Sequence, residues 1–285
     1  MSEVRTGEVE QVHPKVRRLV AANPSPFTYT GTQTYIVGTG EIAVIDPGPD
    51  LPDHVEAILV ATEGERIAAI LCTHTHRDHS PASRPLAEAT GAAIVGCAPL
   101  ALHDEGPRAD AAFDFGYAPG RILADGERLE AEGWSLEAVA TPGHTSNHLC
   151  FALGGEGVLF TGDHVMGWST TVVSPPDGDM TLYMRSLDRL LGRDDAVYYP
   201  AHGPAVDRPH RHVRALIAHR RMREKQILAR LGAGEGRIPA MVETMYRDID
   251  PHLHPAAGRS VLAHLVDLER RGLVRAERER WTLAA

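Results

Sequence analysis

Short apolar segments alternate with turn residues along the first 200 residues, which is typical of a chain rich in strands. The run Ile67–Cys72 is apolar throughout, as expected of a strand that is buried on both faces. Similar segments predict further strands at 16–20, 34–37, 42–45, 92–95, 134–140, 148–153, 158–160 and 197–199. We also expect paired strands on either side of the turn Asp125–Gly126, because short apolar segments flank it.

Helical spacing of apolar residues appears between these strands. Val55, Ile58 and Leu59 lie on one face of a predicted helix over 51–62. Further helices are predicted at 80–89, 179–191 and 213–231. The prolines of 23–27 predict a loop, since proline restricts both itself and the preceding residue. Residues 98–120 show weak periodicity and predict an irregular loop over one end of a sheet.

Charge divides the chain into two parts. Residues 1–207 carry 29 acidic and 13 basic side chains, a net charge of −16, whereas residues 208–285 carry 9 acidic and 16 basic ones, a net charge of +7. This asymmetry predicts an acidic domain over 1–207 and a basic one over 208–285. No apolar run approaches the length of a membrane span and no apolar signal segment opens the chain, so we expect a cytoplasmic protein that does not enter membranes.

The most informative stretch follows the buried segment Ile67–Cys72. His74, His76, Asp78 and His79 place four residues of ligand type within six positions. Side chains two apart on an extended chain lie on the same side, so His74 and His76 can reach one ion. Imidazole and carboxylate ligands suit zinc, and also manganese or iron.

Histidine and aspartate recur where other predicted strands end. His144, Asp163 and His202 each follow such a strand. Loops at the ends of rigid strands commonly carry binding groups. We therefore expect one site along a single edge of a sheet sandwich.

These residues lie in motifs that carry a family resemblance. In order along the chain the motifs are HTHRDH (74–79), TPGHT (141–145), TGD (161–163) and PAHGP (200–204). The set resembles the metallo-β-lactamase superfamily over about residues 30–205, and the segments NPSPFTYTGTQTYIVG and GDHVMGWSTTVVSPPDGDMTLYMRSL resemble its β-lactamase-like protein 2 branch. The resemblance implies an αββα four-layer sandwich followed by a small winged-helix-like domain, whose helices and wing strands would be 238–249, 256–271, 272–274 and 281–283.

The resemblance also implies a ligand set and a reaction. The first metal would take His74, His76 and His144, the second Asp78, His79 and His202, with Asp163 between them. The expected cofactors are two Zn²⁺ ions, with Mn²⁺ or Fe²⁺ as alternatives. A hydroxide held between two such ions is an effective nucleophile at neutral pH, so the expected enzyme is a metal-dependent hydrolase in which Asp78 also orients the water and carries its proton.

Three further residues are candidates for supporting roles. Asp46, at the end of a predicted strand, would orient the metal-site loop or simply complete an Asp-Pro-Gly turn. His164, next to Asp163, is a candidate substrate contact. Trp168 would form an apolar wall on the approach to the metals or pack its own loop down.

The scissile bond stays open between an ester, a thioester and a phosphodiester. The partner would be a small acyl substrate or single-stranded RNA, and the basic run Arg220–Lys225 is the candidate phosphate contact. An acyl-thioester hydrolase and an RNA endonuclease are the two specific alternatives. A β-lactamase and a non-catalytic nucleic-acid-binding protein are weaker ones, and the winged helix would bind nucleic acid or pack, with a homodimer as one assembly.

Overall fold

The computed structural model describes residues 5–101 and 113–284. Its strands, in chain order from β1 to β14, are Glu10–His13, Val16–Val20, Gln33–Thr39, Glu41–Ile45, Arg66–Cys72, Ala93–Gly96, Arg121–Ile122, Arg128–Ala131, Trp134–Ala140, Leu149–Leu153, Val158–Gly162, Val197–Pro200, Val274–Glu277 and Arg280–Leu283. Its helices, from α1 to α6, are Pro52–Ala61, Ser83–Thr90, Met180–Leu190, Pro209–Gly232, Ile238–Met245 and His254–Arg270.

Two sheets form the centre of the larger domain. Strands β1 to β7 make one seven-stranded sheet in chain order, and strands β12-β11-β10-β9-β8 make the second. Each sheet is mixed: β4, β5, β6 and β7 run parallel, as do β11 and β12, while the other neighbours are antiparallel. Parallel pairs require crossover connections, which α1 and α2 supply in the first sheet and α3 in the second.

Alternating side chains divide the interior into layers. Along β4, Ala43 and Ile45 face the other sheet while Ile42 and Val44 face the outer helices. One cluster fills the space between the sheets, a second joins α1 and α2 to the first sheet, and a third joins α3 and α4 to the second sheet. The expected αββα sandwich is therefore confirmed, and central strands such as β4, β10 and β11 are mainly apolar because both of their faces are buried.

The C-terminal domain has a core of its own. Helices α5 and α6, the end of α4 and the hairpin β13-β14 share a buried cluster that includes Ile227, Met241, Val261 and Leu268. This is the expected winged-helix arrangement, with a polar two-stranded wing. Helix α4 belongs to both units: Val213 and Ile217 pack on the sandwich, whereas Ile227 and Leu231 pack in the small domain.

One local expectation needs correction, and one strand lacks a sequence prediction. The segments flanking Asp125–Gly126 do not pair with each other, because β7 joins the first sheet and β8 joins the second. The turn therefore connects the two sheets. Strand β1 was not predicted, since the polar sequence of Glu10–His13 gives no apolar signal. Of the predicted loop over 98–120, residues 102–112 lie outside the described residues.

Two further observations concern the chain as a whole. Cys72, Cys97 and Cys150 are buried and free, as expected of core thiols. Across the described ranges, no helix is both long and apolar enough to span a membrane.

Candidate metal centre

The first sheet supplies one half of the site at the carboxyl ends of two parallel strands. Asp46 follows β4, and the segment 74–79 follows β5 beside it. The backbone turns sharply at both places: Asp46 has a φ of 48°, a conformation that aspartate tolerates better than most residues. The segment 74–79 leaves β5 through bends and turns, so His74, His76, Asp78 and His79 lie at this end of the sheet.

The second sheet supplies the other half. His144 lies in the loop from β9 to β10, Asp163 directly follows β11, and His202 follows β12. These strand ends face the segment 74–79 across the sandwich, and Thr73 links the two halves, since its carbonyl accepts a hydrogen bond from the amide of Leu149 at 2.8 Å. The predicted convergence of strand ends is what the structure shows.

A glycine fixes the approach of His144. Gly143 has a φ of 140°, and a Cβ added to it would lie 2.3 Å from the Cα and the amide nitrogen of Tyr183 in α3. Its carbonyl also accepts a hydrogen bond from the amide of Asp179 at 2.9 Å, just before α3 begins. The loop that carries His144 therefore rests directly on helix backbone, where no side chain fits.

We expect Gly143→Ala to destabilise the protein and to weaken metal binding, because the loop and α3 must separate to admit the methyl group. The expected loss is about 1–3 kcal/mol of unfolding free energy, measured by urea denaturation. Gly155→Ala is the matched control, since Gly155 also has a positive φ of 74° but no atom within 4 Å of the added Cβ. Equal losses in the two variants would show that backbone strain, not contact with α3, governs this loop.

The first group of possible ligands contains His74, His76, His144 and Asp163. Nδ1 of His76 lies 2.9 Å from Nε2 of His74 and 3.1 Å from Nε2 of His144. Nε2 of His144 lies 3.5 Å from Oδ2 of Asp163. Three nitrogens and one carboxylate oxygen thus face a common point.

The second group contains Asp78, His79 and His202. Oδ2 of Asp78 lies 3.3 Å from Nε2 of His79 and 3.2 Å from Nε2 of His202. The other oxygen of Asp163, Oδ1, lies 3.5 Å from the same nitrogen of His79 and 3.3 Å from that of His202. Asp163 therefore presents one oxygen to each group.

The spacing of these atoms fits tetrahedral coordination. Zinc–nitrogen bonds of roughly 2.0–2.1 Å place neighbouring ligand atoms of a tetrahedron about 3.3–3.4 Å apart. Nε2 of His79 and Oδ1 of Asp163 are buried, yet neither makes a hydrogen bond to any described residue. Buried polar atoms are rarely left in this state, so a cation between them fits the residues present.

Hydrogen bonds behind the ligands fix which ring nitrogen faces inward. Nδ1 of His144 contacts the carbonyl of Val172 at 2.6 Å, and Nδ1 of His79 contacts Oδ2 of Asp46 at 3.0 Å. Asp46 also accepts hydrogen bonds from the amide and the hydroxyl of Thr73, both at 2.8 Å. These contacts leave Nε2 of both histidines available to a metal, and they give Asp46 the position of an orienting residue and not that of a ligand.

The electrostatics of the two groups differ. Burial and neighbouring imidazoles hold the pKa of His74 well below its ordinary value. Burial would also lower the pKa of His79, but the carboxylates of Asp78, Asp163 and Asp46 together raise it well above the usual range. A proton on His79 competes with a metal for the same nitrogen, so metal affinity at this group should increase with pH.

Two histidines near the centre do not belong to it. Nε2 of His148 accepts a hydrogen bond from the amide of Asp163 at 3.2 Å, and its Nδ1 contacts the hydroxyl of Thr141 at 2.9 Å, which is a structural role. His164 is fully buried beside the ring of Tyr183, and burial lowers its pKa to about 3. The expectation that His164 contacts substrate is corrected by this location, because its side chain points into the protein below Asp163.

Trp168 lies at the surface of the site. Its ring is 37% exposed, stacks on Tyr29 with centroids 5.1 Å apart, and covers Gly203, where an added Cβ would lie 2.7 Å from its Cδ1. Gly203 directly follows His202, so the glycine of the PAHGP motif admits the indole ring. Both sequence interpretations are compatible with this position: Trp168 packs its loop down onto Tyr29 and Gly203, and it also lines the cavity.

A cavity of about 510 Å³ opens onto the metal-binding residues. Two features of it were not apparent from the sequence, namely its size and the fact that both domains form its wall. The ligand side is formed by His76, Asp78, His144, Asp163 and His202. The rest of the wall combines polar residues with many apolar ones, and the apolar residues include Phe27, Met166, Trp168, Val172, Tyr246, Ile249, Leu253, Ala256 and Ala257.

Known proteins share this architecture. A family model described as the metallo-beta-lactamase superfamily matches residues 28–202, and a model of the beta-lactamase associated winged helix domain matches residues 238–281. The beta-lactamase-like protein 2 homolog of Drosophila melanogaster is 32% identical over 278 residues, which cover 94% of this chain and 92% of the relative. The atrochrysone carboxyl ACP thioesterase AgnL7 of Paecilomyces divaricatus is 33% identical over 249 residues, covering 85% and 73%. The crystal structure of a beta-lactamase domain protein from Burkholderia ambifaria matches the fold with a TM-score of 0.81 at 21% identity, covering 99% of this chain and 95% of that one.

Proposed function

Because the chain belongs to the metallo-β-lactamase superfamily and is a hydrolase of that superfamily, we propose that it cleaves acyl thioesters at a centre of two zinc ions. The observation that carries the proposal is the cavity between the two domains, whose wall contains the expected metal ligands together with many apolar side chains. Such a cavity can enclose an acyl group with its carbonyl at the metals. A relative at 33% identity bears the name of an acyl-carrier thioesterase, which supports the same substrate class.

Each protein group has a defined part in this proposal. Two bound divalent cations would lower the pKa of a water molecule to roughly 7 and polarise the substrate carbonyl. Asp78 lies between His79 and His202, and its side chain is 13% exposed, so it can hold a water and pass its proton to the leaving thiolate. The apolar wall excludes bulk water and holds the acyl chain in register with the metal centre.

The competing phosphodiesterase hypothesis is based on the two-metal site, the branch resemblance and the basic tail, especially the run 220–225. Arg220 is only 3% exposed, and the Arg223 guanidinium lies 4.2 Å from the centroid of the Tyr246 ring. Both side chains line the cavity wall instead of extending as a solvated phosphate-binding face. These two arginines therefore belong to an enclosed cavity, whose shape suits an acyl group better than a long nucleic-acid backbone.

The proposal is tested with zinc-loaded protein and four substrates: octanoyl and acetyl thioesters of N-acetylcysteamine, a single-stranded RNA and a β-lactam. We expect metal-dependent thioester hydrolysis to exceed the other reactions and the octanoyl thioester to be preferred. Metal analysis of protein purified without added metal identifies the native ion. RNA cleavage that needs the metal, with both thioesters untouched, would show that the proposal is wrong.

The cavity itself is tested by filling it from the C-terminal domain. We expect Ala256→Trp to raise KM for the octanoyl thioester at least about tenfold, since several buried methylenes at roughly 0.8 kcal/mol each lose their place. KM for the acetyl thioester should equal that of the wild-type protein, because the acetyl group does not reach residue 256. Ala215→Trp is the matched control, as Ala215 is exposed on α4 and does not line the cavity.

Equal losses for both thioesters in Ala256→Trp, at an unchanged melting temperature, would contradict this account. The acyl group would then bind elsewhere.

A further inference from the structure

Arg220 is a buried cation without a buried anion. It lies in α4, is 3% exposed, and forms part of the cavity wall. Within the described residues it makes no ion pair. Burial of a guanidinium is costly unless a negative charge compensates it, so this side chain requires an explanation.

The hydrogen bonds of Arg220 all go to neutral groups. Nη1 donates to Oγ of Ser260 at 3.1 Å, and Nη2 donates to the carbonyl of Thr171. Nε is buried and has no hydrogen-bond partner among the described residues. The guanidinium also lies 5.3 Å from the centroid of the Tyr183 ring. Part of its donor capacity therefore remains available.

Arg223 repeats this pattern one turn later on the same face of α4. Its Nη1 donates to Oε1 of Gln226 at 2.9 Å and to the carbonyl of Met245 at 3.1 Å. Its Nε, like that of Arg220, makes no hydrogen bond to a described residue, and it too forms no ion pair there. Two unpaired guanidinium groups thus lie on one wall of the cavity.

The neighbouring titratable groups do not offset these charges. Burial, followed by the charges of Arg220 and Arg223, lowers the pKa of His219 to about 4. The same causes lower the pKa of His264 to about 3. Both imidazoles are therefore neutral at pH 7, and the wall carries the two positive charges of the arginines.

This wall is close to the reaction centre. Thr171, which accepts the hydrogen bond of Arg220, donates its own hydroxyl to the carbonyl of Asp163 at 2.7 Å. The next residue, Val172, contacts His144. An anion at Arg220 would therefore share one cavity with a carbonyl group at the metal centre.

We propose that Arg220 and Arg223 form a subsite for a carboxylate carried by the acyl group of the substrate. The inference rests on the proposed thioesterase function and narrows it to acyl groups that bear a negative charge away from the scissile carbonyl. Guanidinium groups bind carboxylates and phosphates in the same geometry, so a phosphate on the carrier thiol is the other source of the same chemistry. The burial of Arg220 favours the acyl carboxylate, because the anion must enter the cavity together with the hydrolysed group.

The test varies each charge separately. Hexanoyl and adipoyl thioesters have the same length and differ by the terminal carboxylate, and each is prepared on N-acetylcysteamine and on phosphopantetheine. We expect wild-type protein to prefer adipoyl over hexanoyl in kcat/KM by at least about tenfold, the value of one charged hydrogen bond, on both thiols. Arg220→Gln should abolish this preference, mainly through KM, whereas Arg220→Lys should keep part of it.

The controls separate this subsite from a structural role. Arg214→Gln removes an exposed charge from the same helix and should leave the preference intact. Equal loss of both substrates in Arg220→Gln would mean that Arg220 only anchors Thr171 to α6, and would overturn the inference. The inference would also be overturned if the protein preferred phosphopantetheine thioesters to N-acetylcysteamine thioesters but did not distinguish adipoyl from hexanoyl groups.

Failure of the inference is distinguishable from failure of the function. If wild-type protein hydrolyses the hexanoyl and adipoyl thioesters efficiently and at equal rates, the protein is a thioesterase that lacks an anion-binding subsite. If wild-type protein hydrolyses neither thioester, the proposed function is refuted, and the subsite with it.

Discussion

Asp163→Asn is expected to reduce hydrolysis by at least roughly 10³-fold, since a catalytic metal contributes several kcal/mol of transition-state stabilisation and 1.36 kcal/mol is a factor of ten. The reason is the position of its two oxygens. Oδ1 faces His79 and His202, and Oδ2 faces His144. An asparagine keeps one oxygen and replaces the other with an amide that cannot bind a cation, so one of the two groups loses a ligand.

The measurement combines activity with metal content. We expect bound zinc to fall from about two ions per chain to one or fewer, with little change in far-UV circular dichroism, because the strands that carry the ligands are held by the apolar clusters. Asp188→Asn is the matched control, as Asp188 is exposed on α3 and remote from the ligand groups. Wild-type activity in fully metallated Asp163→Asn would show that this carboxylate does not act between the two groups.

Local signals in the sequence were sufficient for most of the fold. Strand β9, for example, begins and ends where the apolar pattern of 134–140 predicts, and the same is true of β2 at 16–20. In β9 the burial also largely alternates along the strand, as expected of a strand with one face in the core. The two sheets and the winged helix came from the family resemblance and are confirmed.

The sequence does not show in the same way which of the two sheets a short edge strand joins. β7 has two residues and β8 has four, and both are largely exposed. An exposed edge strand contains little apolar pattern, and its partner depends on which neighbouring edge is free. For this reason the turn at Asp125–Gly126 was interpreted as a hairpin although it connects two sheets.

The cavity illustrates a second limit of sequence interpretation. Arg220 lies in a run of charged residues on a helix, which normally indicates a solvated face. In the structure that face meets the loop at Thr171 and the helix at Ser260, so the charge is buried by tertiary contacts far away in the chain. The metal-binding motifs, by contrast, are local, and the structure places their side chains in the two groups described above, although their roles as ligands stay predictions.

Asp46→Asn provides a sharper test of how those groups are held than removal of a ligand would. Asp46 touches no metal in the arrangement proposed here, yet its carboxylate accepts from Thr73 through both oxygens and contacts Nδ1 of His79. An accepting oxygen at that place requires the proton of His79 to be on Nδ1, which leaves Nε2 free for a cation. Loss of such an orienting contact typically costs 10–100-fold in metal affinity, and we expect a loss of about this size.

No orientation of the asparagine amide restores the arrangement. With its NH₂ group toward His79, it favours the tautomer with the proton on Nε2, which blocks binding. With its NH₂ group toward Thr73, it places a second donor against the backbone amide of Thr73. That buried amide then lacks an acceptor, at a cost of about 1–3 kcal/mol.

Competition with a chromophoric chelator measures the affinity, and activity at saturating zinc is measured in parallel. We expect a lower zinc affinity at the group formed by Asp78, His79 and His202. Saturating zinc should restore much of the activity. Asp53→Asn is the control, being an exposed aspartate in the first turn of α1. An unchanged affinity in Asp46→Asn would mean that ligand spacing alone fixes His79, and that Asp46 serves only the turn at the end of β4.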